Sequence, residues 1–223
     1  MYYTSLKIAD PKAQISGWQE VSWSGIPQEI WALAPECEPI RVFTARGLLY
    51  NLNEGVYEVE CIDEGVIDDN RVIVPQARII RRLQTWNEVN ARLLAADFAE
   101  RALTDDCDAL YHDVVDAVRR LAKGSITSGE LEMLKAGCLM AQDRLSDDIS
   151  LTYSDLAMLD TVWATIKHEK PWMAAMAVAY EAAVSAASVG STRTEQYAPN
   201  QHDLRYRNEK EAQIDLLMDY LYV

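Results

Sequence analysis

Three histidines, four cysteines and several runs of carboxylates are the side chains of this 223-residue chain with chemistry to offer. His112, His168 and His202 stand far apart, and none lies in the HxxxH or HExxH spacing that puts two imidazoles on one helical face. His168, between Lys167 and Glu169, falls at a helix end, where a cation complements the dipole. Cys37, Cys61, Cys107 and Cys138 make no CxxC pair, so neither a zinc knuckle nor a dithiol redox motif is present. No GxSxG turn presents a serine nucleophile, and no GxGxxG or GxxxxGK loop turns its amides toward phosphate. These patterns assign no catalytic residue, no cofactor and no metal ligand.

Carboxylates, by contrast, cluster. Asp105, Asp106 and Asp108 flank Cys107, Asp113 and Asp116 follow, and Asp147 and Asp148 form a later pair. The first run carries oxygens suited to a hard cation, but the alternating ligands, central Gly and distal Glu of a calcium loop are missing. A connector rich in Asp reads instead as a helix cap and a solvated loop. As a surface, those seven aspartates are the candidate partner-binding set. A second grouping sits in TWNEVNARLLAADFAERAL, Thr85 to Leu103. Asp97, Glu100 and Arg101 would make an enzyme site if a cleft joined them to a histidine. The plainer reading is a helix with two exposed i,i+4 ion pairs, Glu88 with Arg92 and Asp97 with Arg101, each contributing about 0.2–0.5 kcal/mol.

The elements that must position these groups change character along the chain. Five of the seven prolines and five of the nine glycines fall before residue 84, between short β-prone runs: EIWALA, IRVFTA, GLLYNL, VYEVECI and NRVIVP. In VYEVECI, Tyr57, Val59 and Cys61 alternate as an apolar face, with Glu58 and Glu60 pointing the other way. Asp68-Asp69-Asn70 supplies a turn between that run and Val72-Ile73-Val74, which predicts a hairpin. ARIIRRL reads equally as a last strand or a first helical turn. From Gln76 onward the period moves from 2 toward 3.6. Thr85 with Glu88 has the pattern of a capping box, and Trp86, Val89, Leu93, Ala96 and Phe98 are assigned to the core. A helix over 109–123 carries Leu110, Val114, Val115, Val118 and Leu121 on one stripe, with Gly124 just past its end. Further helices are expected in SITSGELEMLKAGCLMAQDRL, in SDLAMLDTVWATIKHE, and in PWMAAMAVAYEAAVSAAS, where Pro171 suits the first turn. GSTRTEQYAPNQHDLRYRN reads as a polar loop, and EKEAQIDLLMDYLYV as a closing helix. The fold class is therefore α+β: a small antiparallel β-rich domain over 1–84, then an all-α bundle of five to six helices over 85–223.

Charge narrows the partners. With 21 Lys+Arg against 35 Asp+Glu the net charge is -14. Residues 1–84 hold 8 basic and 12 acidic side chains, and residues 85–223 hold 13 and 23, so most of the excess lies in the helical part. A phosphate backbone is gripped by clustered Lys and Arg, and anionic lipid by polybasic segments, so direct nucleic-acid binding and membrane docking are both disfavoured. A basic protein partner fits. MYYTSLKIAD has no basic region followed by an apolar stretch, and the Ala-rich run is broken by Glu181, so a cytoplasmic protein with free thiols and no membrane span is expected.

The stretch NRVIVPQARIIRRLQTWNEVNARLLAADFAERAL resembles a segment of uncharacterised proteins from phages, prophages and bacteria, in which a small β-rich part precedes an immunity-protein-like helical domain. The likeness rests on Thr85, Trp86, Asn87, Glu88, Ala91, Arg92, Leu93, Ala95, Ala96, Asp97, Ala99, Glu100 and Arg101, with Phe98 where the family often has Cys. DVVDAVRRLAKGSITSGELEMLKAGCLMAQDR and EAQIDLLMDYL are similar to its helical hairpin and closing helix. The resemblance implies no catalytic residues and a protein that neutralises a toxin by binding it. The expected function is thus an inhibitor or immunity-type protein. Its acidic helical surface would block a basic toxin or a nucleic-acid-binding defence protein, with anti-defence activity such as anti-CRISPR included. The alternative is a homo-oligomeric phage accessory or assembly protein, pairing through the apolar end Tyr220, Leu221, Tyr222 and Val223.

Overall fold

The computed structural model describes residues 1–6, 32–33, 40–62, 66–68, 71–147, 153–188 and 199–222. They form an α+β fold, an antiparallel sheet in the leading part and helices after it, as the change of period predicts. The chain divides into two compact units, Met1–Asn87 together with Met218–Val223, and Glu88–Leu217.

In the first unit the described strands are β1 (Tyr2–Leu6), β2 (Ala32–Leu33), β3 (Ile40–Phe43), β4 (Gly55–Ile62), β5 (Val66–Asp68), β6 (Arg71–Val74) and β7 (Gln76–Arg82). Their order across the sheet is β2-β7-β4-β1-β3-β6-β5, and neighbours run antiparallel. Alternate β-branched and aromatic positions supply the core: Ile40, Val42, Tyr57, Val59, Val72, Val74, Ala77 and Ile79. ARIIRRL resolves as strand β7, because Ala77 and Ile79 alternate inward with the same period as their neighbours on β4. Gly55 is needed where it stands, since a Cβ there would lie 2.9 Å from the Tyr57 ring.

Three expectations are corrected in this unit. YYTSL, not counted among the β-prone runs, is β1, paired on both sides by β3 and β4. GLLYNL is no strand: Ala45–Leu48 form the short helix α1, whose N-cap Thr44 accepts a hydrogen bond from Gly47 N, and Leu48 and Leu49 are both fully buried. Adjacent buried leucines suit a tight turn of helix, since a strand would send one to each face. The hairpin around residues 68–71 joins β5 to β6, with Asp68 opposite Arg71, whereas β4 pairs with β1 and β7. Asp69 and Asn70 lie outside the described residues. Glu58 points away from Tyr57, as the alternation predicts, and is 4% exposed.

The second unit holds α2 (Glu88–Ala102), α3 (Ala109–Ala122), α4 (Ser128–Asp147), α5 (Tyr153–Lys167), α6 (Pro171–Ser188) and α7 (Pro199–Tyr222) as far as Leu217. Ala174, Ala175, Ala179, Ala182 and Ala183 are buried on α6, and such small side chains let α5 and α2 approach it closely. The helix packs on both. α3 packs on α2 and α5, and α4 on α3 and α5. Gly124 ends α3 as expected, with φ +66°. Ser125 N donates to Arg120 O at 2.8 Å and Gly124 N to Leu121 O at 3.0 Å, the paired bonds of a Schellman motif. A capping box opens α4: Glu130 N donates to Thr127 Oγ1 at 3.2 Å, and Thr127 N to Glu130 Oε2 at 3.1 Å.

The opening helix departs from its pattern. It begins at Glu88 rather than beside Thr85, whose hydroxyl donates to Leu221 O at 2.6 Å within the first unit. Trp86 is buried there, its Nε1 donating to Asn53 O at 2.7 Å. Ala96 and Phe98 are fully buried, Leu93 is half-buried, and Val89 is exposed, the inward face being completed by Ala91, Leu94 and Ala95. The sequence over 199–208 is helical, extending α7 upstream of its apolar stripe. Asp203, Leu204, Arg205 and Arg207 are exposed on it, so an apolar period was never required.

Candidate functional site

Asp105 and Asp106 lie exposed in the connector between α2 and α3. The Thr104 side chain hydrogen-bonds the Asp106 carboxyl and, with a backbone bond, holds it below the usual carboxylate range. Asp108 is the N-cap of α3, accepting from Leu110 N at 2.9 Å. Asp113 and Asp116 project from the exposed face of α3, one turn apart. Asp113 enters no ion pair among the described residues, and Asp116 lies 3.5 Å from Arg119. From Asp108 to Asp116 the helix rises about 12 Å, so these carboxylates share one short segment. Asp147 closes α4, and Asp148 lies outside the described residues. Five of the seven predicted aspartates are thereby brought onto the connector and outer face of α3.

Asp97, Glu100 and Arg101 are not assembled with a histidine. Arg119 reaches from α3 to α2, donating through Nη2 to Asp97 at 2.9 Å and to Glu100 at 2.5 Å. Those two carboxylates raise the guanidinium well above its ordinary pKa, Glu100 most. Arg101 turns to α7 and holds Glu209 with both Nε and Nη2, at 3.0 and 2.9 Å. Arg92 donates to Glu169 O at 2.6 Å. The charged face of α2 thus clamps neighbouring chain segments, a use that one-helix spacing does not reveal. His168 follows α5, and His202 on α7 stands 3.8 Å from Asp203. His112 sits elsewhere, its Nε2 3.4 Å from Cys107 Sγ. Burial, with Asp106 and Asp108 nearby, pushes the Cys107 thiol up. Cys61, Cys107 and Cys138 are free, and Cys138 alone of these three is fully buried.

Two polar clusters escaped the sequence reading. On the sheet face opposite the core, β7 bulges where Glu58 pairs with Arg81 but Val59 pairs with Ile79. The extra residue, Ile80, is pushed outward, and Arg81 takes the place opposite Glu58. Arg81 Nε hydrogen-bonds Glu58 Oε2, Tyr222 OH donates to Glu58 Oε1 at 2.7 Å, and Tyr3 OH lies 3.2 Å from Tyr222 OH. Arg81 above all, with Tyr222, holds the Glu58 carboxyl below its usual range. The only hint in sequence was the tyrosines of the last turn.

The second cluster lies on α7. Lys210 is buried, donates to Ala179 O at 3.0 Å and sits 5.6 Å from the Tyr206 ring centre. Burial lowers its pKa to about 8. Gln213, also fully buried, donates to Glu209 Oε1 at 3.2 Å.

Leu221 is buried and Tyr222 is bonded to Glu58, so half of the apolar end read as a subunit contact is occupied within its own unit. No helix among the described residues is long and apolar enough to cross a membrane. No family model matches the chain, and no curated protein or solved structure matches it either.

Proposed function

We propose that the helical unit is a non-enzymatic binding module. Its connector and α3 carboxylates, Asp105, Asp106, Asp108, Asp113 and Asp116, engage a basic protein in the cytoplasm. The observation that carries this reading is their presentation: exposed and concentrated in one segment on a capped helix whose other face is buried. Asp113, outside any ion pair among the described residues, meets lysines and arginines without first breaking one, and like charges held together on a firm scaffold steer a cationic partner. The function that fits is inhibition of an immunity or anti-defence kind, in which the acidic face covers the nucleic-acid-binding surface of a toxin or defence protein.

The test compares the wild-type chain with an Asp105→Asn, Asp106→Asn, Asp113→Asn, Asp116→Asn variant, leaving the Asp108 cap intact. Each is used at low salt to capture proteins from the native host. The reading predicts a basic partner that wild type retains, that salt releases, and that the variant loses. A partner held equally by the variant, or an acidic one, removes the reading.

A further inference from the structure

Arg120 and Leu110 tie α3 to α4 at two points, and a row of side chains from each helix runs along the border. Arg120 Nη1 donates to Glu130 Oε1 at 2.9 Å, and a Cβ on Gly137 would stand 3.2 Å from Leu110 Cδ1. On α4 the row is Glu130, Met133, Gly137 and Met140, spaced i, i+3, i+7 and i+10. Both methionines therefore share the side of α4 that Gly137 turns to α3. On α3 the facing row is Asp113, Asp116 and Arg120, at i, i+3 and i+7. The inward stripe of α4 is a different one, with Cys138 and Ala141 buried. Met133 and Met140 are left 76% and 65% exposed, and Leu139 beside them 48%. Three large apolar side chains this close on one helix make a strip, not the scattered apolar residues that any surface carries.

The charge around the strip says what covers it. Arg120 is held by Glu130, Arg119 by Asp97 and Glu100, and Lys135 by Glu132, while Arg144 Nε donates to Met140 O at 3.4 Å. Asp113 across the border on α3, and Asp143 one turn beyond Leu139, enter no ion pair among the described residues. A second copy of this face would set those carboxylates against their own kind. An apolar stripe flanked by lysines or arginines meets both features, and the unbranched, polarizable methionine chains adapt to the side chains that arrive. We propose that Met133, Leu139 and Met140, with Asp113 and Asp143, form the docking site for a basic amphipathic helix of the partner protein. This rests on the partner reading above and gives that partner a shape: an apolar stripe on the methionines, with cationic edges on the two aspartates.

The probe is a fluorescently labelled peptide of about four helical turns made only of Leu and Lys, with the leucines on one face. Its controls are the same composition in an order that has no apolar face, and a lysine-only peptide of equal length. By fluorescence anisotropy the full-length chain should bind the amphipathic peptide about tenfold or more tightly than either control, and salt should remove only part of that binding. Met133→Gln with Met140→Gln should weaken it about tenfold or more, whereas Met173→Gln, at an exposed methionine of α6, should leave it unchanged. Asp113→Asn with Asp143→Asn should weaken it chiefly at low salt, and far-ultraviolet circular dichroism checks that each variant is folded. Equal binding of the three peptides, or wild-type binding by the Met133→Gln, Met140→Gln chain, overturns the proposal. So does self-association that this double variant abolishes, which would seat a second copy on the strip. The partner reading fails separately, if the captured host protein is held equally by the aspartate variant while the peptide still needs the methionines.

Discussion

Tyr222 donates its phenolic proton to Glu58 Oε1 across 2.7 Å, tying the last turn of α7 to a buried carboxylate on β4. An ionised carboxylate only accepts, so the direction of this bond is fixed, and the Tyr222 oxygen is left to accept from Tyr3. Tyr222→Phe removes one hydrogen bond to a charged group and should cost about 1.5–3 kcal/mol by denaturant unfolding. A loss under half that size would mean that the bond contributes little.

Glu58 also sets a pH dependence. Its folded carboxyl is held below the ordinary 4.5, chiefly by the Arg81 hydrogen bond. Stability from the ionised group is therefore whole above that ordinary value and is lost as pH falls through the lower folded value. Glu58→Gln should flatten the acid limb of the stability curve while lowering stability at pH 7. Parallel acid limbs for variant and wild type would assign the slope to other groups.

How far this arrangement could be read from sequence depends on how local each cause is. Gly124 after α3, Thr127 with Glu130 and the inward alternation of β4 are settled by residues within one turn or one strand, and the pattern states them. The burial of Glu58 needs a bulge that shifts Arg81 by one position and a tyrosine 164 residues away. No short-range spacing encodes either. Thr85 and Glu88 show the opposite failure: the local pattern of a capping box is present, but Thr85 donates to Leu221 O and the helix starts later. The aspartates of α3 were legible because exposed charge needs no partner, whereas Cys107 and His112 meet only because the connector folds back onto the first turns of α3.

Gly124 offers a narrow test of backbone strain. Its φ of +66° lies in the left-handed region, and a Cβ there would meet nothing within 4 Å. Gly124→Ala should thus cost about 1 kcal/mol through conformation alone, and Gly124→Asn distinctly less. Equal losses for the two would point to something other than the dihedral.

Trp86 couples a buried ring to a single polar contact, Nε1 to Asn53 O at 2.7 Å. Trp86→Phe leaves that carbonyl without this donor and a void beside it, and Trp86→Leu enlarges the void. The expected loss is about 2–4 kcal/mol for Phe and more for Leu, read from urea unfolding. Near-neutral behaviour of both would show that the ring is not an anchor of the first unit.

Lys210 supplies the alkaline counterpart of Glu58. Burial lowers its folded pKa from 10.5 to about 8, so below pH 8 the folded chain carries a buried cation that the unfolded chain exposes to water. Between about pH 8 and the ordinary value the unfolded state binds the extra proton, and stability contributed by this site rises with pH. Lys210→Met removes the titrating group at similar length, though it also removes the hydrogen bond to Ala179 O. Wild-type stability minus that of the variant should accordingly increase from pH 7.5 to 9.5, by up to about 1.4 kcal/mol per pH unit at its steepest. Unfolding measured at four or five pH values in that range decides the matter. A flat difference would mean that Lys210 titrates alike in both states and that its burial is fully offset by Ala179 O and the Tyr206 ring.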